Sequence, residues 1–250
     1  MTLPSWAQQV EVDLELVLAV DVSRSMSAEE LEIQRRGYAA ALTSDEVWEA
    51  IRGGMIGRVA ITYMEWAGSL DQRIVVPWTL IETREDAAAF ADRITAHFDG
   101  AMRRTSISGG LKAASIAFEV NDFIGLRRVI DISGDGPNNQ GRPVLPARSD
   151  VLAQGIVING LPLMTQDEFS ERFGIPDLDA YYTNCVIGGP GAFMLPVWSW
   201  EDFEPTLRRK LVLELAGLAP TQPRIIQADA YDCMIGEKIW ERYFGDWYSP

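Results

Sequence analysis

The chain has 250 residues, of which 47% are hydrophobic and 23% are charged, close to the average for globular proteins. Its 36 acidic residues against 22 basic ones give a formal net charge of −14. This charge argues against nucleic acid as a partner, because phosphate recognition depends on clustered Lys and Arg. No apolar run approaches the roughly 18 residues that a transmembrane helix needs, so we expect no membrane span.

The N-terminal segment, residues 1–11, contains Leu3-Pro4-Ser5-Trp6-Ala7, in which Ser5 and Ala7 form the small-x-small pattern of a signal-peptide cleavage site. The positive and apolar regions of such a signal are missing, so we interpret this segment as a leader remnant and predict a periplasmic or secreted protein. In an oxidising compartment Cys185 and Cys233 form one disulfide, or they remain two buried thiols; the sequence leaves both alternatives open.

Strands and helices alternate along the next 200 residues or so. The apolar run from Leu14 to Val20 predicts a buried parallel strand that ends at Asp21. Ser27 and Glu30 form a capping-box pattern at the start of a helix. The patterns predict helices over 28–42, 84–98, 106–120, 144–154 and 203–215, and further strands over 57–66, 73–78, 128–132, 155–161 and 192–197.

This alternation predicts an α/β fold with a doubly wound, mostly parallel central sheet that helices cover on both faces. Pro77 confines the predicted third strand to an edge or an end of the sheet, because proline cannot donate to the hydrogen-bond ladder. Residues 218–250 show little periodicity, which indicates an extension packed on the main domain.

Three polar sites follow the predicted strands or open the helices after them. Asp21, Ser23 and Ser25 come directly after the first strand, Thr105 opens a helix, and Asp135 lies in a turn after a later strand. Ligands of doubly wound sheets bind beyond the carboxyl ends of the strands. Two carboxylates and three hydroxyls are the hard oxygen ligands that Mg²⁺ and Mn²⁺ prefer. The set is short of carboxylates for a closed site, so it leaves an open coordination position.

The order of these residues resembles the metal-ion-dependent adhesion site (MIDAS) of von Willebrand factor A (VWA) domains, which has Asp-x-Ser-x-Ser, a distant Thr and a distant Asp. The separations between the three elements, about 80 and about 30 residues, also agree. The resemblance covers residues 12–217 and implies a VWA/Rossmann-like fold with one antiparallel edge strand. The sequence segments 133–139 and 186–193 are similar to those of a bacterial branch of the family that has no assigned function.

The resemblance also implies roles for the matched residues. Ser23, Ser25 and Thr105 would coordinate Mg²⁺ (or Mn²⁺ or Ca²⁺), while Asp21 and Asp135 would orient waters and neutralise charge. A Glu or Asp of a partner protein would fill the open position, which makes the chain a metal-dependent protein-binding module and not an enzyme. One departure concerns Gly134, which occupies a position where the family commonly has Thr or Ser.

Two other functions compete with this interpretation. Asp21 and the segment 134–139 also resemble haloacid dehalogenase phosphatases, but Ser23 replaces the acidic residue that those enzymes use to protonate the leaving group. Alternatively, the chain is a structural or assembly domain in which metal is incidental. The site itself also has an ordinary interpretation, in which the domain is degenerate and Asp21 only caps the helix that follows.

Several other side chains have both a functional and an ordinary interpretation. Glu65 either approaches the metal or ends its strand in solvent. Arg103 and Arg104 either pair with an incoming carboxylate or form surface ion pairs. His97 is expected on the surface. Four tryptophans also have two interpretations: they line a binding surface, or they complete the core and anchor the extension. They are Trp198, Trp200, Trp240 and Trp247.

Overall fold

The structure is a computed structural model that describes residues 9–96, 100–165, 174–220 and 231–244. Among these residues, five strands form one sheet in the order β3-β2-β1-β4-β5. The strands are β1 (Val10–Asp21), β2 (Val59–Trp66), β3 (Gln72–Ile81), β4 (Phe123–Gly134) and β5 (Val157–Pro162). All neighbours pair in parallel except β2 and β3, which are antiparallel. The predicted α/β fold is confirmed, and the strand with Pro77 lies at an edge.

Helices pack on both faces of this sheet. They are α1 (Ala28–Leu42), α2 (Asp45–Arg52), α3 (Arg84–Ala96), α4 (Ile107–Ala117), α5 (Val144–Ala153), α6 (Leu178–Tyr181), α7 (Phe203–Leu215) and α8 (Ile235–Phe244). A 3₁₀ turn extends α4, and a π-helical turn over Tyr182–Val186 extends α6. The five predicted helices are present. The helices α2, α6 and α8 were not predicted. The first two have eight and four residues, too few turns for a clear apolar period, and α8 lies in the segment that was interpreted as an extension with little periodicity.

The core is divided by the sheet, and β1 contributes to both halves. Leu16 and Leu18 point to one face, where they pack in a cluster with residues of α1, α3 and α7. Val17 and Ala19 point to the other face, which α4 and α5 cover. Because successive side chains of a strand alternate between faces, a central strand buried on both sides needs a continuous apolar run. The sequence of β1 meets that need.

The predicted strand over 192–197 is wrong. Met194 and Val197 each form only a single-residue bridge, to Gly160 and Leu163 beside β5. Pro196 has no N–H to donate, which interrupts a ladder at this point. The amide of Phe193 donates to the side-chain Oδ1 of Asn159 at 3.0 Å. The segment therefore runs along the edge of β5 with isolated bridges and without a regular hydrogen-bond ladder.

A disulfide joins Cys185 to Cys233, so of the two alternatives the bonded pair is the one observed. It links the π-helical turn after α6 to the residues that precede α8. In the described part of the chain, no helix is both long and apolar enough to span a membrane. His97 and Trp247 lie outside the described residues.

Candidate metal centre

Asp21 is the last residue of β1, at the carboxyl edge of the sheet, and its side chain is fully buried. One carboxylate oxygen, Oδ1, accepts a hydrogen bond from the backbone amide of Ser23 at 2.8 Å. The other, Oδ2, is buried without a hydrogen-bond partner among the described residues. Burial raises the pKa of Asp21 well above its usual range, and the negative charge of Asp135 raises it further.

The loop between β1 and α1 brings two hydroxyls beside this carboxylate. The Oγ atoms of Ser23 and Ser25 lie 2.9 Å apart, and Ser23 is buried. The helix that follows has Ser27 as its N-cap, in the predicted capping box with Glu30. Asp21 therefore does not cap α1, and the interpretation of Asp21 as a simple helix cap is wrong.

Thr105 reaches the same edge from a different loop. The backbone of Met102 donates to the carbonyl of Val22 at 2.8 Å, which places this loop alongside the residue after Asp21. Arg104 then adopts a left-handed backbone conformation with φ 75°, and Ser106 caps α4. Thr105 lies between them, 7% exposed. Left-handed backbone is unusual for a side chain of this size, which marks a tightly determined turn.

Asp135 follows β4, the strand next to β1, and is half-buried. The loop that it begins is tied to Thr105 by two hydrogen bonds. The amide of Asn139 donates to the Thr105 carbonyl at 2.9 Å, and the Thr105 amide donates to Oδ1 of Asn139 at 3.1 Å. The structure thus brings three separate loops to one edge, and these carry all five predicted site residues.

The departure at Gly134 has a steric reason. A Cβ atom at this position would lie 2.9 Å from the Tyr182 hydroxyl, 3.0 Å from Oδ2 of Asp21 and 3.3 Å from the ring of Trp66. Tyr182 and Trp66 are both fully buried. These two large side chains fill the space in which the family commonly has a Thr or Ser side chain, so only glycine fits.

The donor set fits a hard divalent cation. Three of its five side chains are hydroxyls, which agrees with the finding that the described residues contain no group of three or more His, Cys, Asp and Glu able to hold a metal. The Oδ2 atom of Asp21 is buried and has no hydrogen-bond partner among the described residues, so it is free to orient a metal-bound water or to face a cation directly. Oxygen-rich sites of this kind suit Mg²⁺, Mn²⁺ or Ca²⁺.

Glu65 belongs to a structural ion pair. Its carboxylate is fully buried and pairs with Arg35 at 2.8 Å and with Arg73 on the neighbouring strand. Both interpretations of this residue, a metal ligand and a solvated strand end, are therefore wrong. Glu65 lies near the end of β2, next to the central strand β1. Helix α1, which carries Arg35, covers its side chain.

Sequence reasoning missed the residues that join the loops. Asn138 is fully buried, and Asn139 forms both bonds to Thr105. Gln34 of α1 donates to the carbonyl of Asp21 at 3.3 Å. The pair Asn138-Asn139, three residues after Asp135, was the available sign, since Asn side chains often bond to nearby backbone in turns. The tryptophans differ in role: Trp200 donates to Glu30 at 2.8 Å, and Trp198 is 61% exposed.

The comparisons with known proteins agree with this geometry. The model of a family described as "Protein of unknown function (DUF1194)" matches residues 11–219. The chain belongs to this family. DUF1194 is a bacterial VWA-like family, so the resemblance predicted from the motif is confirmed. No curated protein matches the chain.

Solved structures with the same fold include the proximal thread matrix protein PTMP1 of the mussel byssus, with a TM-score of 0.60 and 16% identity over 84% of this chain. The chain spans 49% of PTMP1, and another structure of PTMP1 has a zinc-occupied MIDAS motif. BatB from Bacteroides thetaiotaomicron has a TM-score of 0.52 and 16% identity, covering 82% of this chain and 99% of its own. A von Willebrand factor type A protein from Catenulispora acidiphila has a TM-score of 0.52 and 12% identity over 82% of this chain and 43% of its own. At these identities the likeness shows a shared VWA fold.

Proposed function

We propose that this protein is a divalent-metal-dependent protein-binding module of the adhesion type, and that an acidic residue of a partner protein completes the coordination of the metal. The metal is Mg²⁺, or Mn²⁺ or Ca²⁺ in its place. The residues that hold it are Asp21, Ser23, Ser25, Thr105 and Asp135. We assign this function to the domain predicted over residues 12–217, with 218–250 as an extension packed on the domain. The first strand of this domain begins at Val10, inside the predicted N-terminal segment 1–11.

The observation that carries the proposal is the unsatisfied carboxylate of Asp21. Its Oδ2 is fully buried without a hydrogen bond of normal geometry from the described residues. Burial and the negative charge of Asp135 raise the pKa of this carboxyl by more than Ser23 and the backbone of Asp135 lower it. An uncompensated buried charge is expensive, and proteins compensate such charges with a partner charge or a metal. A divalent cation bound here would compensate two carboxylates at once. The hydroxyls of Ser23 and Ser25 would add neutral ligands at the same edge.

The comparisons support this proposal through the fold. In one structure of PTMP1 the MIDAS motif is occupied by zinc, so a protein of this fold holds a divalent metal at such a site. Pilus and matrix proteins among the structural neighbours also favour binding over catalysis. We further propose a periplasmic or secreted location, because the Cys185–Cys233 disulfide persists in an oxidising compartment.

The phosphatase alternative lacks the chemistry that it needs. An aspartyl nucleophile must reach the substrate, whereas Asp21 is fully buried and has one oxygen committed to the Ser23 amide. Ser23 supplies a hydroxyl where a general acid is required, and a hydroxyl protonates a leaving group poorly at neutral pH. Binding therefore remains the function that the site supports best.

Calorimetric titration of Mn²⁺ and Mg²⁺ into chelator-treated protein tests the metal site. We expect stoichiometric binding in the wild type and none in Asp21→Ala. Ser27→Ala is the matched control, since it removes the N-cap of α1 just beyond the site and costs about 1 kcal/mol of stability without removing a ligand. Equal binding in the wild type and Asp21→Ala would exclude the proposed ligands.

The partner is tested by capturing proteins from a periplasmic extract on the immobilised full chain, in Mg²⁺ and in EDTA. We expect specific capture in Mg²⁺ that is lost in EDTA and in Asp21→Ala. Substituting the acidic residues of the captured partner one at a time should identify the carboxylate. Capture that persists undiminished in EDTA would show that binding does not depend on metal.

A further inference from the structure

The C-terminal extension is attached to the domain next to the loops of the proposed metal site. Its helix α8 begins two residues after Cys233, which is bonded to Cys185 in the π-helical turn. Tyr231, just before the disulfide, donates from its hydroxyl to Oδ2 of Asp177 at 2.9 Å. A ten-residue helix is too short to be stable alone, so these attachments and its packing keep it in place.

Asn138 is the first point at which α8 meets the loops of the site. This side chain is fully buried, and its Nδ2 donates to Oε1 of Glu237 on α8 at 2.7 Å. Its Oδ1 accepts from the backbone amide of Ser108, in the first turn of α4, at 3.0 Å. Asn138 therefore joins three parts of the molecule: the loop that carries Asp135, the helix that Thr105 precedes, and the extension.

The close approach of the two backbones shows how tightly α8 is seated. A Cβ atom at Gly236 would lie 2.1 Å from the carbonyl oxygen of Asn138. A residue with a side chain would push the helix away at this position. Glycine at 236 thus lets α8 reach the Asp135 loop and places Glu237 within hydrogen-bonding distance.

The second contact is made by Trp240, one turn further along α8. The guanidinium carbon of Arg104 lies 3.7 Å from the centre of the indole ring, a close cation–π contact. Arg104 is the residue in the left-handed conformation, and it directly precedes Thr105. Trp240 therefore contacts the side chain of Arg104, and the backbone conformation of Arg104 sets the direction in which Thr105 follows.

We propose that Glu237 and Trp240 are positioning residues of the metal centre, and that the disulfide keeps them there. Glu237 acts through Asn138 on the Asp135 loop, and Trp240 acts through Arg104 on Thr105. Neither residue is one of the five proposed ligands. This inference rests on the proposed metal site and adds that the extension is part of the metal-binding unit, beyond the residues that the family motif covers.

The test measures Mn²⁺ affinity by calorimetry in the full-length chain, with circular dichroism to show that each variant is folded. Residues that orient metal ligands typically contribute roughly 10–100-fold in affinity. We expect Glu237→Ala to weaken Mn²⁺ binding about tenfold, and Glu237→Gln to restore most of the affinity because an amide oxygen also accepts from Asn138. Trp240→Ala should weaken binding by a similar factor.

Lys238→Ala is the matched control on the same helix. Lys238 is exposed and pairs with Asp232 at 2.7 Å, away from the loops of the site. This variant should leave the Mn²⁺ affinity within twofold of the wild type. The double variant Cys185→Ser with Cys233→Ser provides a second test, because it releases α8 without changing either positioning residue, and it should weaken Mn²⁺ binding at least as much as Glu237→Ala.

The outcomes separate this inference from the proposed function. If the wild type binds Mn²⁺ and the folded Glu237→Ala, Trp240→Ala and double-cysteine variants bind it equally well, α8 is not part of the metal centre. Weakening of the same size in Lys238→Ala would show that general loss of helix stability, and not positioning, is responsible. If the wild type binds no Mn²⁺, the proposed metal site fails and the inference fails with it.

Discussion

At the residue scale, Asp21 holds a carboxyl group in surroundings that disfavour its negative charge in the metal-free protein. Its position at the end of the central strand buries it completely, and its Oδ2 receives no hydrogen bond from the described residues. The nearby charge of Asp135 adds repulsion, and both effects raise the pKa of the Asp21 carboxyl. Under the proposed function, such a site would give up stability in the metal-free protein in exchange for cation binding.

The variant Asp21→Asn tests how much the buried charge of Asp21 destabilises the metal-free protein. It keeps the size of the side chain and an oxygen that accepts from Ser23, but it removes the buried charge. We expect the metal-free variant to be more stable than the metal-free wild type by on the order of 1 kcal/mol, and to bind no Mn²⁺. Thermal unfolding in EDTA measures the first effect and titration the second. A metal-free variant that unfolds at a lower temperature would contradict this account of Asp21.

At the scale of elements, the π-helical turn after α6 determines which residue can end β4. Tyr182 begins this turn, is fully buried and directs its hydroxyl at Gly134. The residue before Asp135, a proposed metal-site residue, is therefore determined by packing against an element about 50 residues away in the sequence. This contact explains the departure from the family motif, which the motif itself gives no means to predict.

A double-mutant cycle tests the contact between β4 and the turn. Gly134→Ala should destabilise the protein by about 1–3 kcal/mol, because the added methyl group crowds the Tyr182 hydroxyl and Oδ2 of Asp21. Tyr182→Phe removes the closer of these two atoms, so the double variant should be more stable than the sum of the single effects predicts. Denaturant unfolding of the four proteins measures the coupling, and strictly additive effects would show that the turn does not constrain Gly134.

At the scale of the whole molecule, α7 is anchored to the sheet by a buried charge cluster. Lys210 of α7 pairs with Asp131 of β4 at 2.5 Å and with Glu214 one turn further along α7. All three side chains are fully or almost fully buried. Burial is the main cause that raises the pKa of Glu214 to about 7, with the Asp131 charge adding to it and Lys210 opposing it.

This raised pKa predicts how stability depends on pH. Between the ordinary pKa of Glu and about 7, the folded protein holds a proton on Glu214 that the unfolded chain has lost, so stability falls as pH rises through this range. Glu214→Gln removes the titration and should flatten that fall by at most about 1.4 kcal/mol per pH unit. Asp21 contributes in the same direction, so some slope should remain.

The measurement is denaturant unfolding of the wild type and Glu214→Gln in EDTA from about pH 4.5 to about pH 7.5, which spans the titration range. Glu204→Gln is the matched control, because Glu204 lies on the same helix, is partly exposed and pairs only loosely with Arg208 at 3.6 Å. Its pH profile should be parallel to that of the wild type. A Glu214→Gln profile parallel to that of the wild type over this range would contradict the assignment of a proton to Glu214.

The sequence by itself determined the five strands of the sheet, five of the helices and the motif, although it also predicted a strand over 192–197 that is not formed. Each depends on short-range information: a continuous apolar run for β1, a capping box at Ser27 for α1, and proline at the edge strand. The order of Asp21, Thr105 and Asp135 along the chain was also sufficient to predict one edge as the site, because strand ends converge in a parallel sheet. Their roles as metal ligands remain a prediction.

The tertiary structure alone decided which distant residues support those loops. The burial of Glu65 between two arginines, the crowding of Gly134 and the docking of α8 onto Asn138 all depend on contacts between segments far apart in the chain. Such contacts leave no periodic pattern in the sequence, since each is made by one or two side chains whose neighbours are set by the packing of whole elements. For the same reason, only the structure shows that Cys185 and Cys233 are bonded and not two buried thiols.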